Sequence, residues 1–299
     1  MNKIKIRYGG DITEFTSPQD ISELTGKQWI DIVHNFIAVK EMNNHNVFAL
    51  LISLLNIETK NAAKFIPEII REGLFAFFQE QVFKILENQM DTHRWLIDEL
   101  KVQNITLYGP RDGFSYMRFG EFISLDIMYS NYLYLKEAPT PTDYQYPTSP
   151  YEKQQRAEVL TAHILKTKHA LNAFCAAIMR PQAEEYRHGS TADRRQEFHS
   201  DMIEARAELF TGANATTKLA ILYNYGMVRK SIVLSYPLAF DASAEPETST
   251  EVNPEQAAHS WLGLRSRLAG SVLNLEKIDN LLLSDVLSSI KPEQNENKA

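Results

Sequence analysis

Glu185 and His188 stand three apart in the stretch EEYRH. At that spacing two helical side chains share a face. Two Glu-x-x-His pairs, with two further glutamates from other helices, build the di-metal centres of helical bundles. The second pair is missing. Glu255 and His259 are four apart, and His163 and His169, six apart, fall on different sides of a helix. No His-Glu-x-x-His motif and no Cys/His cluster occurs. The histidines therefore read as surface or core residues, and no metal site is expected.

The other reactive types are equally sparse. No glycine-rich phosphate loop and no Gly-x-Ser-x-Gly elbow is present. The single cysteine, Cys175, has no base beside it in sequence and reads as a small buried apolar residue. Asp126 is the most provocative carboxylate, alone among aromatic residues in MRFGEFISLDIMYSNYLYL. Such a group usually accepts hydrogen bonds from a hydroxyl or an arginine and fixes how helices dock. Arg111, Arg118 and Arg180 are its candidate partners. These residues predict no catalytic group and no cofactor.

Composition narrows the class. The 299 residues are 44% hydrophobic and 23% charged, with net charge −7 and pI near 5.7. A chain of this size can bury a substantial core. An acidic balance argues against a general nucleic-acid binder, which needs a basic face. No apolar run approaches the 18 or so residues of a membrane span, and the N-terminus lacks a signal-type apolar core. A cytosolic, non-membrane protein is expected. Residues 151–180 carry Lys153, Arg156, Lys166, Lys168 and Arg180 against Glu152 and Glu158. They form a solvated face, or a contact face for an acidic protein.

Periodicity predicts a mainly α, multi-helix bundle with a short N-terminal strand or hairpin. KIKIRY, before Gly9-Gly10, alternates as a strand does, and NITLYG is a weaker strand signal. Thr25 and Gln28 have capping-box spacing ahead of Trp29, Ile32, Val33 and Phe36. A second helix runs through Val47, Leu50, Leu51, Leu54 and Leu55. Pro67 is placed in the first turn of a long helix reaching Leu86. DTHRWLIDELK predicts a short helix capped by Asp91. Further helices are expected over about 119–136, 153–179, DRRQEFHSDMIEARAELF, TTKLAILYNYGMVRKSIVLSY, around Trp261, and about 281–290. The stripe Leu160, Ile164, Leu171, Phe174, Cys175 and Ile178 is predicted buried. Pro181 ends its helix and places Arg180 at the negative end of the dipole. The chain thus divides into 1–136, a Pro-rich connector at 137–152, and 153–290. An acidic loop is expected at 241–255 and a disordered tail at 291–299.

Five segments in this order resemble a group of helical proteins from the tail-morphogenesis region of tailed bacteriophages and prophages. They are LTGKQWI, FGEFISLD, LNAFCAAIMRP, KLAILYNYGMVRKSIVLSYPLAF and WLGLRSRLAGSVLNLEKIDNLLLSDVLSSI. Phe119, Gly120, Glu121, Phe122 and Asp126 match the group's helix start, which runs Phe or Leu, Gly, Gln or Glu, then Phe or Trp, with an Asp nearby. Ala177, Ile178, Met179, Arg180 and Pro181 match its apolar helix end closing on Arg-Pro. Between the two this chain inserts the connector and extra helical length. The resemblance implies a non-enzymatic tail assembly chaperone or tail-associated protein. Its partners would be phage tail proteins, with the tape-measure protein as a candidate client, and a homo-oligomer is compatible. It would act in the host cytoplasm or in the virion. The candidate interaction residues are Phe119, Gly120, Phe122, Asp126, Met179, Arg180, Pro181 and Trp261. A structural virion component and an enzyme of unrecognised type are the alternatives.

Overall fold

A computed structural model describes residues 2–8, 10–38, 44–71, 94–138, 149–187, 193–236 and 254–290, with residues 73, 76, 80 and 84. In chain order these form β1 (Asn2–Tyr8), β2 (Asp11–Ser17), α1 (Gly26–Ile32), α2 (Asn44–Leu54), α3 (Thr59–Arg71), β3 (Glu99–Val102) and β4 (Ile105–Tyr108). Then follow α4 (Phe119–Glu137), α5 (Pro150–Ile178), α6 (Ile203–Ala207), α7 (Ala215–Ser235), α8 (Pro254–Ala269), α9 (Leu275–Asp279) and α10 (Leu283–Ser289). The fold is mainly α, as the periodicity predicts, with an N-terminal β-hairpin. Two compact units emerge, one of residues 1–99 with 214–231 and one of 100–213 with 232–299. The division does not follow the Pro-rich connector. The helices flanking it, α4 and α5, both belong to the second unit and pack on one another.

In the first unit β1 and β2 pair from Asn2 opposite Ser17 to Tyr8 opposite Asp11. Alternation sends Ile4 and Ile6 inward, where they join Leu51, Leu55, Ile57, Phe65 and Ile69. Phe15 meets Phe65 edge-on at 5.0 Å. Pro67 is inside α3, not in a first turn. Its ring removes one helical hydrogen bond. Burial of Phe65 and Ile69, on the flanking turns, offsets that loss. The apolar residues expected further along that helix, Leu74 to Leu86, lie outside the described residues.

The predicted capping box is present. Gln28 N–H donates to Thr25 Oγ1 at 3.2 Å, and Thr25 N–H donates to Gln28 Oε1 at 2.9 Å. Trp29 is fully buried, and its indole N–H donates to the Ala220 carbonyl at 2.9 Å. The helix then widens to a π turn over Val33–Ile37, which leaves Phe36 only half-buried. WLIDEL is not helical. Residues 95–98 have no regular secondary structure and lead into β3. Trp95, Leu96 and Ile97 are all buried, more than the single buried face of a surface helix takes in succession. The Leu96 amide donates to the buried Asn224 Oδ1 at 2.7 Å. Asp91 lies outside the described residues.

The second unit is organised around α4. Its first two turns are buried nearly all round: Phe119, Glu121, Phe122, Ile123, Leu125 and Asp126. Trp261 of α8 packs edge-on to Phe122 at 4.7 Å and to Phe119 at 6.2 Å. The helix α5 starts at Pro150, earlier than expected. Ser149 and Glu152 form a second capping box, and Pro150 takes the first turn, where its missing N–H costs nothing. Only Leu171–Ile178 is buried; Leu160 is half-buried and Ile164 is 42% exposed. Asp193–Phe210 is not one helix. It begins as irregular chain and continues through short 3-10 turns and α6. The acidic loop, apart from its last two residues, and the tail lie outside the described residues.

Candidate functional site: a cleft floored by buried arginines

Pro181 stops α5, and Met179 is already extended. Arg180 then pairs with the end of β4: Tyr108 N–H donates to the Arg180 carbonyl at 2.7 Å, and Arg180 N–H donates back at 3.1 Å. Two further exchanges lay the following strand-like stretch beside residues 194–196. Ala183 N–H donates to Arg194 O at 2.9 Å, and Gln196 N–H donates to Pro181 O at 2.8 Å. Arg180 and Arg195 thereby come together, buried, at the mouth of α4.

Glu121 joins them. Its Oε1 accepts from Arg180 Nη2 at 2.7 Å and lies 3.0 Å from Arg195 Nη2. Asp193 embraces Arg195, accepting from Nη2 at 2.7 Å, from Nε at 3.1 Å and from the Arg195 backbone amide at 2.9 Å. Arg195 Nη1 donates to the Ile178 carbonyl at 3.0 Å. Two arginines and two carboxylates thus form a buried group of zero net charge. The same partners explain the titration. Burial opposes ionisation of Asp193, but Arg195 outweighs it and holds the carboxyl below the usual range. Burial also works against the Arg195 cation, and Glu121 and Asp193 reverse that effect. Arg180 goes the other way. Burial first, then repulsion from Arg195, lowers its pKa to about 10.

Arg180 is also the incompletely satisfied member. Its side chain is 1% exposed, yet Nε and Nη1 have no hydrogen-bond partner among the described residues. The Phe198 ring lies over its guanidinium carbon at 5.7 Å. The group floors a cleft of about 680 Å³, whose walls include Arg118, Glu184, Glu185, Phe198 and Asp279. Gly120 lies on the same wall. A Cβ there would stand 2.7 Å from Asp279 Cβ, so α9 can pack this closely only against glycine. Asp279 in turn is gripped by Arg265, whose Nε donates to Oδ1 at 2.6 Å.

All eight sequence-selected residues fall in this unit. Phe119, Phe122 and Trp261 form its aromatic centre, Gly120 and Arg180 line the cleft, and Met179 and Pro181 end α5 on either side of Arg180. Asp126 is buried on α4. Of the arginines considered for it, Arg180 binds Glu121, Arg118 binds Glu197 at 2.7 Å, and Arg111 lies over Tyr186. Arg180 is more than a charge at a helix end. Cys175 is buried in the last turn of α5. Sequence reasoning did not single out Arg195 and Asp193. The one local signal was their alternate spacing, which lets an extended Asp-x-Arg clasp itself.

Among the described residues, no group of three or more His, Cys, Asp or Glu side chains could hold a metal ion. His188 lies outside them. No described helix is long and apolar enough to cross a membrane. Arg180 stays charged near neutral pH, and Asp193 is held ionised by Arg195. The chain matches no protein-family model, no curated protein and no solved structure.

Proposed function

We propose that the protein is a non-enzymatic tail-morphogenesis factor of a tailed bacteriophage or prophage, an assembly chaperone that covers helical segments of a tail protein such as the tape-measure protein. The observation that carries this reading is the first five turns of α5. Arg156, Leu160, His163, Thr167 and Ala170 make a half-buried stripe along it, and the rest is open to solvent. Tyr151 (69% exposed), Val159 (45%) and Leu165 (60%) lie off that stripe. At 3.6 residues per turn the three fall within about one third of the circumference. An amphipathic client helix binds such a surface through anchors at i, i+3, i+4 and i+7. The resemblance of the α4 start and the α5 end to tail-region proteins supplies the identity of that client.

The test is affinity capture from infected cells, with the wild-type protein and with Val159→Asp/Leu165→Asp as bait. A tail protein should be recovered by the first and lost with the second, and the chaperone should be missing from finished particles. Recovery of the protein in stoichiometric amounts from mature virions would instead favour a structural component. Failure to capture any tail protein would sink both.

A further inference from the structure

The cleft above Arg180 has a feature that tail binding through α5 does not use. A buried guanidinium with unmet N–H donors is unfavourable unless something accepts from it, since each donor has given up its hydration. Among the described residues nothing accepts from Nε and Nη1 of Arg180, and Arg180 lines the cleft. The Phe198 ring lies 5.7 Å from the guanidinium carbon, half-buried on the irregular stretch before the 3-10 turn at Ser200.

The charges on the walls restrict what could enter. Six acids and three arginines line the cleft. Glu121 and Asp193 are engaged by the buried arginines, Glu197 by Arg118, and Asp279 by Arg265. Glu184 and Glu185 remain exposed, with no ion pair among the described residues. A polyanion such as phosphate would pass an acidic mouth and meet a floor whose charges already cancel. A group with one acceptor and one cation would satisfy both.

We propose that this cleft binds a ligand carrying a single carboxylate beside a positive charge, the carboxylate accepting from Arg180 and the cation meeting Glu184 and Glu185. A free basic amino acid and the C-terminal lysine or arginine of a protein chain both present that chemistry. Arginine is the side chain best shaped for carboxylate recognition. The cleft volume lies within the range of small-molecule pockets. The inference is independent of the tail reading, because it concerns the isolated protein and needs no phage component.

Isothermal titration with the full chain tests it, using free lysine, the dipeptide Gly-Lys, Gly-Lys amide and inorganic phosphate. Free lysine reports on the amino-acid source and Gly-Lys on the chain terminus. Binding of either acid supports the proposal. The amide, lacking the carboxylate, should bind about tenfold more weakly or worse, the effect of losing one charge-assisted hydrogen bond. Glu184→Gln/Glu185→Gln changes only exposed side chains, so folding is not at issue, and it should weaken the acid severalfold. Phe198→Ala should strengthen it. Equal binding of acid and amide, tighter binding of phosphate, an unchanged affinity in the double glutamine variant, or no binding of lysine or Gly-Lys at millimolar concentration would each overturn the assignment.

Discussion

Replacing Glu121 with Gln keeps an acceptor near its position and deletes one charge. Oε1 lies 2.7 Å from Arg180 Nη2 and 3.0 Å from Arg195 Nη2, so one carboxylate screens two buried guanidinium groups from each other. At an effective dielectric near 20, each attraction is worth about 4 kcal/mol at 4 Å separation. Without it, Asp193 alone must balance two arginines. Breaking a buried pair from one side typically costs about 3–5 kcal/mol, because the partner charge is left uncompensated. Glu121→Leu combined with Arg180→Met should behave differently. It removes one charge of each sign and leaves Arg195 with Asp193 and the Ile178 carbonyl. It should come within about 2 kcal/mol of the wild type. Hydrogen exchange on the amides of α4 and of Leu171–Ile178 is the suitable assay, since global denaturation of a chain with two units need not be two-state. If Glu121→Gln lost less than about 1 kcal/mol, or if the apolar pair were as unstable as the sum of the single changes, the buried ionic group would not be what organises this unit.

Four other outcomes are expected. Gly120→Ala should destabilise the second unit by about 1–3 kcal/mol through overpacking against Asp279, read by the melting of Trp261 fluorescence in a chain whose other tryptophans are replaced. Ser149→Ala should fray the start of α5 by about 1 kcal/mol, visible as faster amide exchange over residues 150–154 with the buried end unchanged. Leu165→Asp, at a 60% exposed site, should alter stability by no more than about 0.5 kcal/mol, so any loss of partner capture reports on binding. For pH, the folded-state pKa of Asp193 is depressed. Its contribution is complete above the unfolded value near 3.8 and is lost as pH falls through the lower folded value. Acid unfolding of the second unit should therefore shift to higher pH in Asp193→Asn.

What the sequence disclosed follows from the range of the interactions involved. The capping box at Thr25 and Gln28, the alternation of β1 and the α4 span are set within a few residues, and each is found where the local pattern puts it. Local patterns misled where tertiary burial overrode them. DTHRWLIDELK reads as a short helix, yet residues 95–98 are not helical, and Trp95, Leu96 and Ile97 are all buried in succession. Ile164 is spaced as a core residue, yet α5 has run beyond its cover there. Pro67 was placed by its preference for a first turn, whereas the apolar residues on both sides of it keep α3 continuous.

The cleft was half legible for the same reason. Glu121 and Arg180 belong to short motifs that the eye can find, but neither motif says that the two meet across 59 residues. That meeting depends on Pro181 ending α5, on Arg180 pairing with Tyr108, and on the stretch after it pairing with residues 194–196. Apart from Pro181, whose effect the sequence shows, each step is a backbone pairing with little side-chain signature. Once it has occurred, burial makes the consequence large, since two guanidinium groups must share acceptors in a place water does not reach. Three of the four charged groups are fully engaged. The fourth, Arg180, lines the cleft with Nε and Nη1 unpartnered among the described residues, and burial, then repulsion from Arg195, lowers its pKa. Its charged form is a cost of folding at neutral pH, relieved only as the pH rises through about 10. A carboxylate delivered to Nε and Nη1 would lessen that cost and tie the stability of this unit to occupancy of the cleft.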